Sequence, residues 1–551
     1  MEADKELTGL SNAETKSSIL FLPELFEDDP FFQKKKKLLE DLSLDGQEIM
    51  SLKSSSSPSQ WKDILDIMLK RARIINLNEI ELYFAGADVY NFVSPRNELE
   101  ALHSVIGLVE SSMSSDKHEV ESLLGLMHKA AFDLIHQLGE KVGEETRVVR
   151  ESSCEKENSL MQWGKSNGVN TKLEITYVEG AGRGAIATEN LKVGDIAMEI
   201  PLSLLICDKD VIESDMFPIL KKIDGIESET MLLLWSMKEK HNLHSKYKLY
   251  FESLPEAFNT GLSFGVSAIM GLDGTILLEE IVQAKEHLRT QYEQLFPAIC
   301  ESHPDIFPAE LYTWEQFLWA CELWYSNSMK IMFDDGKLRT CLVPIAGFLN
   351  HSTCPHILHY GKTDPVTKSV KFPLSRPCNA GDQCFLSYGN FSSSHLLTFY
   401  GFMPKQENPY DVIPLDFDIA TDEDCVDGEP CEWGTHMVRG TWFSKNNGIF
   451  NYGLPPPLLD HLRRARGSTS KAKTRDNLEI ELEILDDLGS TFEGMMETLG
   501  DEESDDRDGS DWDVTLAMDF KDLQRRIVTS IITSCNAGRE LLECELSTCT
   551  D

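Results

Sequence analysis

At 551 residues the chain is long enough for two or three domains, and 41% hydrophobic with 26% charged residues is the make-up of a globular protein rather than a disordered one. A formal net charge of -40 repels nucleic-acid phosphates and anionic membranes and favours a basic protein partner, with much of the excess expected in a solvated tail. The acidic start Met1-Glu2-Ala3-Asp4-Lys5-Glu6 and the lack of any apolar run of about 18 residues argue against a signal peptide, a transit peptide or a membrane span.

A cytoplasmic or nuclear, reducing location follows, with the thirteen cysteines as thiols. No metal is expected, because no cysteine pair has CxxC spacing and Cys425/Cys431 and Cys544/Cys549 are too loosely spaced for a zinc knuckle.

Residues 1–160 read as helices joined by polar loops. Trp61, Ile64, Leu65, Met68, Leu69, Ala72 and Ile75 fall on one helical face, and Val120, Leu123, Leu124, Met127, Ala131, Leu134, Ile135 and Leu138 on another. Both stripes read as core. Lys34 to Lys37 read as a solvated helix face rather than a localisation signal, and Ser54 to Ser59 as a flexible connector.

At Leu173 the pattern changes to strands: Leu173 to Val178, Ala185 to Thr188 and Ile196 to Ile200. The intervening Gly180-Ala181-Gly182-Arg183-Gly184 reads as a turn whose glycines let the backbone approach a ligand. It lacks the GxGxxG pattern and no helix follows, which disfavours a dinucleotide fold.

Residues 208 to about 333 return to helices, among them one from Leu277 to Leu295 stopped at Pro297 and one from Trp314. Strand character resumes at Thr340. The apolar run Cys341 to Leu349 leads into Asn350-His351-Ser352, and a short strand Cys384 to Gly389 carries Tyr388. Thr398 to Phe402 then supplies Tyr400 beside Gly401. An apolar enclosure with a few polar groups suits a small ligand.

Beyond Pro404 the chain is acidic through Asp427 and then partly helical. The basic cluster from Arg463 to Arg475 reads as a solvated loop. Eight of the thirteen residues from Asp501 to Asp513 are acidic, which predicts a disordered excursion before a final helix through Phe520, Leu523, Ile527 and Ile531.

Asn350-His351-Ser352, Tyr388-Gly389 and Tyr400-Gly401-Phe402, with the upstream Gly182-Arg183-Gly184, resemble a SET-domain protein methyltransferase. The resemblance is to the split-SET group that includes the Rubisco large-subunit and actin-histidine methyltransferases, and it covers roughly residues 173–404. It implies an α+β fold: a SET β-fold with a pseudoknot, split by a helical insertion and flanked by helical N- and C-terminal regions. The expected domains are 1–160, a SET domain over 161–404 with the insertion at about 208–333, and 405–551 as a substrate-binding-like region with an acidic loop at about 500–513.

The resemblance further implies S-adenosylmethionine as cofactor, and transfer of its methyl group to a lysine of a non-histone protein. The alternatives are a histidine target, or a catalytically silent scaffold. Tyr388 is then the catalytic residue, Tyr400 lines the substrate channel, and Gly182, Arg183, Gly184, Asn350, His351 and Phe402 surround the cofactor. The expected partner is a lysine-bearing protein, with no nucleic acid or membrane, and the chain acts as a monomer.

Two departures stand out. Where related sequences place a serine-arginine pair this chain has Ser326-Asn327, so the arginine for the cofactor carboxylate is missing. Where they tend to have asparagine-alanine-glutamate it has Ser394-His395-Leu396.

Overall fold

The computed structural model describes residues 17–46, 49–53, 60–85, 93–113, 120–143, 146–149, 153–415, 433–468, 470–500 and 511–548. The Ser54–Ser59 connector, the acidic start and all but the end of the acidic stretch after Asp501 lie outside them. Among the described residues no helix is long and apolar enough to cross a membrane. The chain forms two compact units, one drawn from Met1–Gly143 and the other from Glu144–Cys425 with Glu432–Asp551.

The first unit pairs strand β1 (Ser17–Phe21) with β2 (Ile49–Lys53) and carries helices α1 (Phe32–Asp41), α2 (Gln60–Ile75), α3 (Glu79–Ala85), α4 (Pro95–Met113) and α5 (Val120–Val142). Both stripes read from the sequence are core: Ile64, Leu65, Met68, Leu69 and Ala72 are buried on α2, and Leu124, Met127, Ala131, Ile135 and Leu138 on α5. The Lys34–Lys37 face is not wholly solvated. Lys35 is buried, because its ammonium caps the Ile75 carbonyl at 2.8 Å and pairs with Asp29 at 2.7 Å.

The second unit opens with α6 (Glu155–Ser166), β3 (Asn170–Thr171) and the hairpin of β4 (Leu173–Val178) with β5 (Gly182–Ala187), followed by β6 (Ile196–Pro201). Val178 pairs with Gly182, so Gly182-Arg183-Gly184 is strand backbone and the turn proper is only Glu179–Ala181. Eight helices follow: α7 (Asp208–Ile212), α8 (Phe217–Leu220), α9 (Ser228–Glu239), α10 (Lys248–Ser253), α11 (Val266–Gly271), α12 (Ile276–Leu295), α13 (Ala298–Ser302) and α14 (Trp314–Asn327).

Strand returns sooner than the sequence predicts. Strand β7 (Ser328–Met332) pairs with β8 (Leu338–Leu342), since the alternating Met329 and Ile331 bury while Lys330 faces out. Next come β9 (Thr363–Asp364) and β10 (Ser369–Pro373). The latter pairs antiparallel with β6 across the whole insertion and gives the sheet order β3-β6-β10-β9. Cys384–Gly389 is extended but joined to its neighbours only by isolated bridges, so the strand predicted there is a threaded segment rather than part of a ladder.

Helix α15 (Ser393–Tyr400), the pair β11 (Val412–Leu415) and β12 (His436–Arg439), and helices α16 (Pro456–Ala465), α17 (Arg475–Leu499) and α18 (Trp512–Thr548) complete the chain. The basic cluster is corrected at Arg463, which lies in α16 and not in a loop. Its buried guanidinium bonds both carboxylate oxygens of buried Glu481, at 2.5 and 2.9 Å, so that each charge is the other's compensation.

Candidate active site

The segment 350–357 forms a loop, and residues 385–388 pass between its two arms. On one side Leu386 N–H donates to the Asn350 carbonyl at 2.8 Å and its carbonyl accepts from Ser352 at 3.1 Å. On the other, the Phe385 carbonyl accepts from His356 and Ile357, both at 3.0 Å. Leu386 is bridged in parallel to His351 and to Ile357. This is the pseudoknot that the resemblance predicts.

Two imidazoles fix the threaded strand in register. His356 Nδ1 accepts from the Phe385 N–H at 3.0 Å, and His351 Nδ1 from the Tyr388 N–H at 3.1 Å. An imidazole that accepts at Nδ1 is neutral and carries its proton on Nε2. Burial works in the same direction. It holds His351 down at about 4, against a weaker opposing bond to the Leu386 carbonyl, and it holds His356 well below the ordinary range, with the Arg376 guanidinium adding to the effect.

His351 therefore contributes stability that is complete above the unfolded value of 6.5 and is lost as the pH falls towards about 4, at most about 3 kcal/mol. A non-titrating acceptor in the same place, His351→Asn, should remove that dependence. The difference in unfolding free energy between wild type and variant should shrink steadily from pH 7 to pH 4.5, and a flat difference would show that this imidazole is not the titrating group.

Tyr388 is placed by this threading. Its phenol donates to the Leu349 carbonyl at 2.9 Å, which turns the hydroxyl towards the Asn350-His351 segment, and its ring stacks on Tyr400 with centroids 4.8 Å apart. Phe402 closes a third side, 6.5 Å from Tyr388 and 6.4 Å from His351. Burial pushes the Tyr388 phenol far above its ordinary value and Tyr400 to about 12, so both remain protonated at any working pH. Tyr388 is thus a hydrogen-bonding dipole with free lone pairs and not a phenolate base.

The glycine strand meets the loop through Asn350. Its Nδ2 donates to the Arg183 carbonyl at 3.0 Å and to Gln383 Oε1 at 2.8 Å. Gly184 lets these amides approach closely: a Cβ would stand 2.4 Å from Gln383 Oε1 and 3.1 Å from Asn350 Nδ2, and both amides would have to shift. Arg183 itself turns away, its guanidinium bonded to Glu157 at 3.0 Å and to the Ser253 carbonyl, and lying 4.8 Å over the Phe348 ring. Of the residues singled out in the sequence, Gly184, Asn350, His351, Tyr388, Tyr400 and Phe402 converge, Arg183 takes part through its backbone alone, and Gly182 lies two residues before Gly184 on the same strand.

Sequence reasoning missed Gln383, buried at 5% exposure beside Asn350 and Gly184; a lone amide just ahead of Cys384-Phe385-Leu386 was its only signal. It also missed the aromatic row beyond Tyr400. Phe391 lies 6.2 Å from Tyr400 and stacks on His395 at 4.1 Å, His395 is 4.7 Å from Phe399, and Phe399 is 5.6 Å from the exposed Tyr325. The departure at 394–396 therefore puts an imidazole into this row, its pKa lowered by burial. The other departure, Asn327, donates to Ser326 Oγ at 2.7 Å and rests against Gly347, just ahead of the loop.

The residues present fit a nucleoside sulfonium such as S-adenosylmethionine. In the bridge to Leu386 the bonds are made by Asn350 and Ser352, and the backbone N–H and C=O of part-buried His351 have no backbone partner among the described residues. An unpaired donor and acceptor side by side are what the edge of a base requires. Around Gly182 nothing lies within 4 Å of the place a side chain would occupy, which leaves space beside this strand position.

His356, Cys378 and Cys384 also bring their donor atoms within 4.8 Å of one another, all buried. The Phe385 N–H already occupies His356 Nδ1, which leaves a protonated Nε2, and the Cys378 thiol lies 3.7–3.9 Å from the carbonyls of Asn379, Asp382 and Gln383. Those partners suit a thiol and a neutral imidazole.

Residues 26–138 match the Rubisco LSMT substrate-binding family model. The match falls in the first unit and not in 405–551, where the sequence suggested such a region. The chain is 23% identical over 260 residues to the Arabidopsis thaliana [fructose-bisphosphate aldolase]-lysine N-methyltransferase, covering 46% of this chain and 52% of that protein. It is 24% identical over 319 residues to the Pisum sativum Rubisco large-subunit N-methyltransferase (55% and 62%) and 22% identical over 268 residues to the actin-histidine N-methyltransferase of Rhinolophus ferrumequinum (47% and 44%). It thus spans about half the length of the curated relatives it matches. The SET domain of LSMT, crystallised with lysine and AdoHcy, superposes with a TM-score of 0.54 at 19% identity, covering 72% of this chain and 93% of that one.

Proposed function

With the SET fold as premise, we propose that this protein is an S-adenosylmethionine-dependent protein methyltransferase whose target is a lysine of a non-histone protein. The observation that carries the reading is the junction at Tyr388: a protonated phenol anchored on the Leu349 carbonyl, stacked on Tyr400, and adjoining the unpaired backbone groups of His351.

The cofactor, when bound, supplies a methyl group on a sulfonium. Gly182 and Gly184 offer it backbone, His351 its free N–H and C=O, and Phe402 an apolar face. The remaining work falls to the aromatic residues. An incoming ammonium has a pKa near 10.4, and an apolar row of rings disfavours its charged form, which helps it to arrive as the neutral nucleophile. The Tyr388 phenol oxygen then accepts a hydrogen bond from the amine and orients its lone pair. Holding the two reactants in line is worth about 7 to 11 kcal/mol in well-oriented systems.

The aromatic row and the LSMT relatives favour lysine over histidine. The helical region 405–551 is our candidate for contact with the protein substrate, and the family match at 26–138 adds the first unit as a second candidate. Labelled methyl transfer from S-adenosylmethionine into cell extract, with mass spectrometry of the acceptor, tests the reading. Methyl-lysine is expected, methyl-histidine would move the protein to the other target, and failure to bind the cofactor would leave a silent scaffold.

Asn350→Ala removes both bonds between the loop and the glycine strand, so cofactor affinity should fall about tenfold, the worth of one good polar contact. Calorimetric titration reads this directly, and an unchanged affinity would remove Asn350 from the site.

A further inference from the structure

The acidity of this chain raises a question at the cofactor site: what balances the carboxylate on the amino-acid portion of a methyl donor? The chain as a whole carries a formal net charge of -40, and position 327, where the family resemblance implies an arginine, holds a neutral amide already bonded to Ser326. Two other cations lie nearby. Arg183 is held by Glu157, the Ser253 carbonyl and the Phe348 ring, whereas Arg147, beside the turn, is only loosely paired, 3.9 Å from Glu179 with both side chains exposed.

Lys405 is different. It follows Phe402 by three residues, and its ammonium lies 3.0 Å from where a Cβ on Gly180 would stand, against the turn that leads into Gly182 and Gly184. The chain from Phe402 to Lys405 thus runs from the His351 side of the site to the glycine side. Among the described residues this ammonium has no hydrogen-bond or ion-pair partner, although Glu407, two residues on, is matched with Arg526 at 4.0 Å. An exposed lysine with no partner is ordinary by itself. One laid on the turn that leads into Gly182 and Gly184 is an unpaired charge at the edge of the proposed site.

We propose that Lys405 binds the cofactor's carboxylate and takes over the role of the absent arginine. The inference rests on the functional reading above. A lysine suits the task because its compact charge sits on a flexible stem and reaches a carboxylate without the fixed geometry that a guanidinium demands.

The test is a calorimetric comparison of two ligands on the purified full chain: S-adenosylmethionine and its decarboxylated analogue, which keeps the sulfonium and the ammonium and lacks only the carboxylate. Wild type should prefer S-adenosylmethionine by about tenfold, the scale of one charge-assisted contact. Lys405→Ala should abolish the preference by weakening S-adenosylmethionine alone, Lys405→Arg should keep it, and added salt should reduce it in wild type. A variant that binds S-adenosylmethionine as wild type does, or that loses equally for both ligands, overturns the assignment and leaves the functional reading standing. Wild type that binds neither ligand overturns both.

Discussion

Tyr388→Phe is expected to bind S-adenosylmethionine normally and to lose about a hundredfold in methyl transfer, the usual scale for removing one preorganised polar group from a transition state. The physical basis is what the substitution leaves alone. The ring keeps its stack on Tyr400 and its contact with Phe402, and the backbone N–H still donates to His351 Nδ1, so the threaded segment and the unpaired groups of His351 stay in place. What is lost is the oxygen that orients the amine, together with one hydrogen bond to the Leu349 carbonyl. The second loss should lower stability by about 1 kcal/mol, enough to detect in a melting curve and too little to account for the lost turnover. Transfer into cell extract at wild-type rate would remove Tyr388 from the mechanism. Loss of cofactor binding in parallel with turnover would mean that the residue is structural.

Gly401→Ala should be the most damaging single methyl group in the second unit. Gly401 ends helix α15 with φ +75° and ψ +28°, the left-handed conformation that costs an alanine about 1 kcal/mol, and its N–H closes the helix on the Leu397 carbonyl. Sterics add far more. The new Cβ would stand 1.7 Å from the Asn259 carbonyl oxygen and 2.7 Å from its carbon, and both are backbone atoms. That loop has little room to retreat, because Thr260 and Ser263 both donate to buried Glu322 at 2.7 and 2.5 Å. Gly261 is itself packed against the helix, with Thr398 Cα 2.8 Å from where its own Cβ would be. A destabilisation above about 4 kcal/mol follows, read as a fall in Tm on the order of 10 °C. A melting point within a degree or two of wild type would mean that the 259–263 loop is free to move. Because Gly401 lies between Tyr400 and Phe402, the same change should also disturb the aromatic walls of the site.

The parts of this molecule legible in its sequence are those with a local signature. The hairpin around Gly182, the helices from Ile276 and Trp314 and the stripes of α2 and α5 follow from periodicity and punctuation, and the structure has them within a few residues. The convergence of Asn350, His351, Tyr388, Tyr400 and Phe402 could be read only through resemblance, since no spacing announces that residues 350–352 and 386 will bridge.

Features made by long-range pairing were out of reach. Lys35 and Arg463 are charged residues with every local reason to face water, and each is buried because one distant partner, the Ile75 carbonyl or Glu481, completes its bonding. The segment 384–389 has the composition of a strand. It forms no ladder because its hydrogen bonds go to both arms of a loop instead of to a neighbouring strand.

That loop also dictates when the site can exist. Its arms are held apart by residues that are synthesised later, and β6 has no β10 to pair with until the entire helical insertion has emerged. The bond between Asn350 and the glycine strand joins residues 167 positions apart, and loop-closure entropy places such a contact late. A protein truncated anywhere before Tyr388 should retain helices yet offer the nucleoside nothing to hold. Ligand affinity is accordingly a stricter measure of completed folding here than helical content.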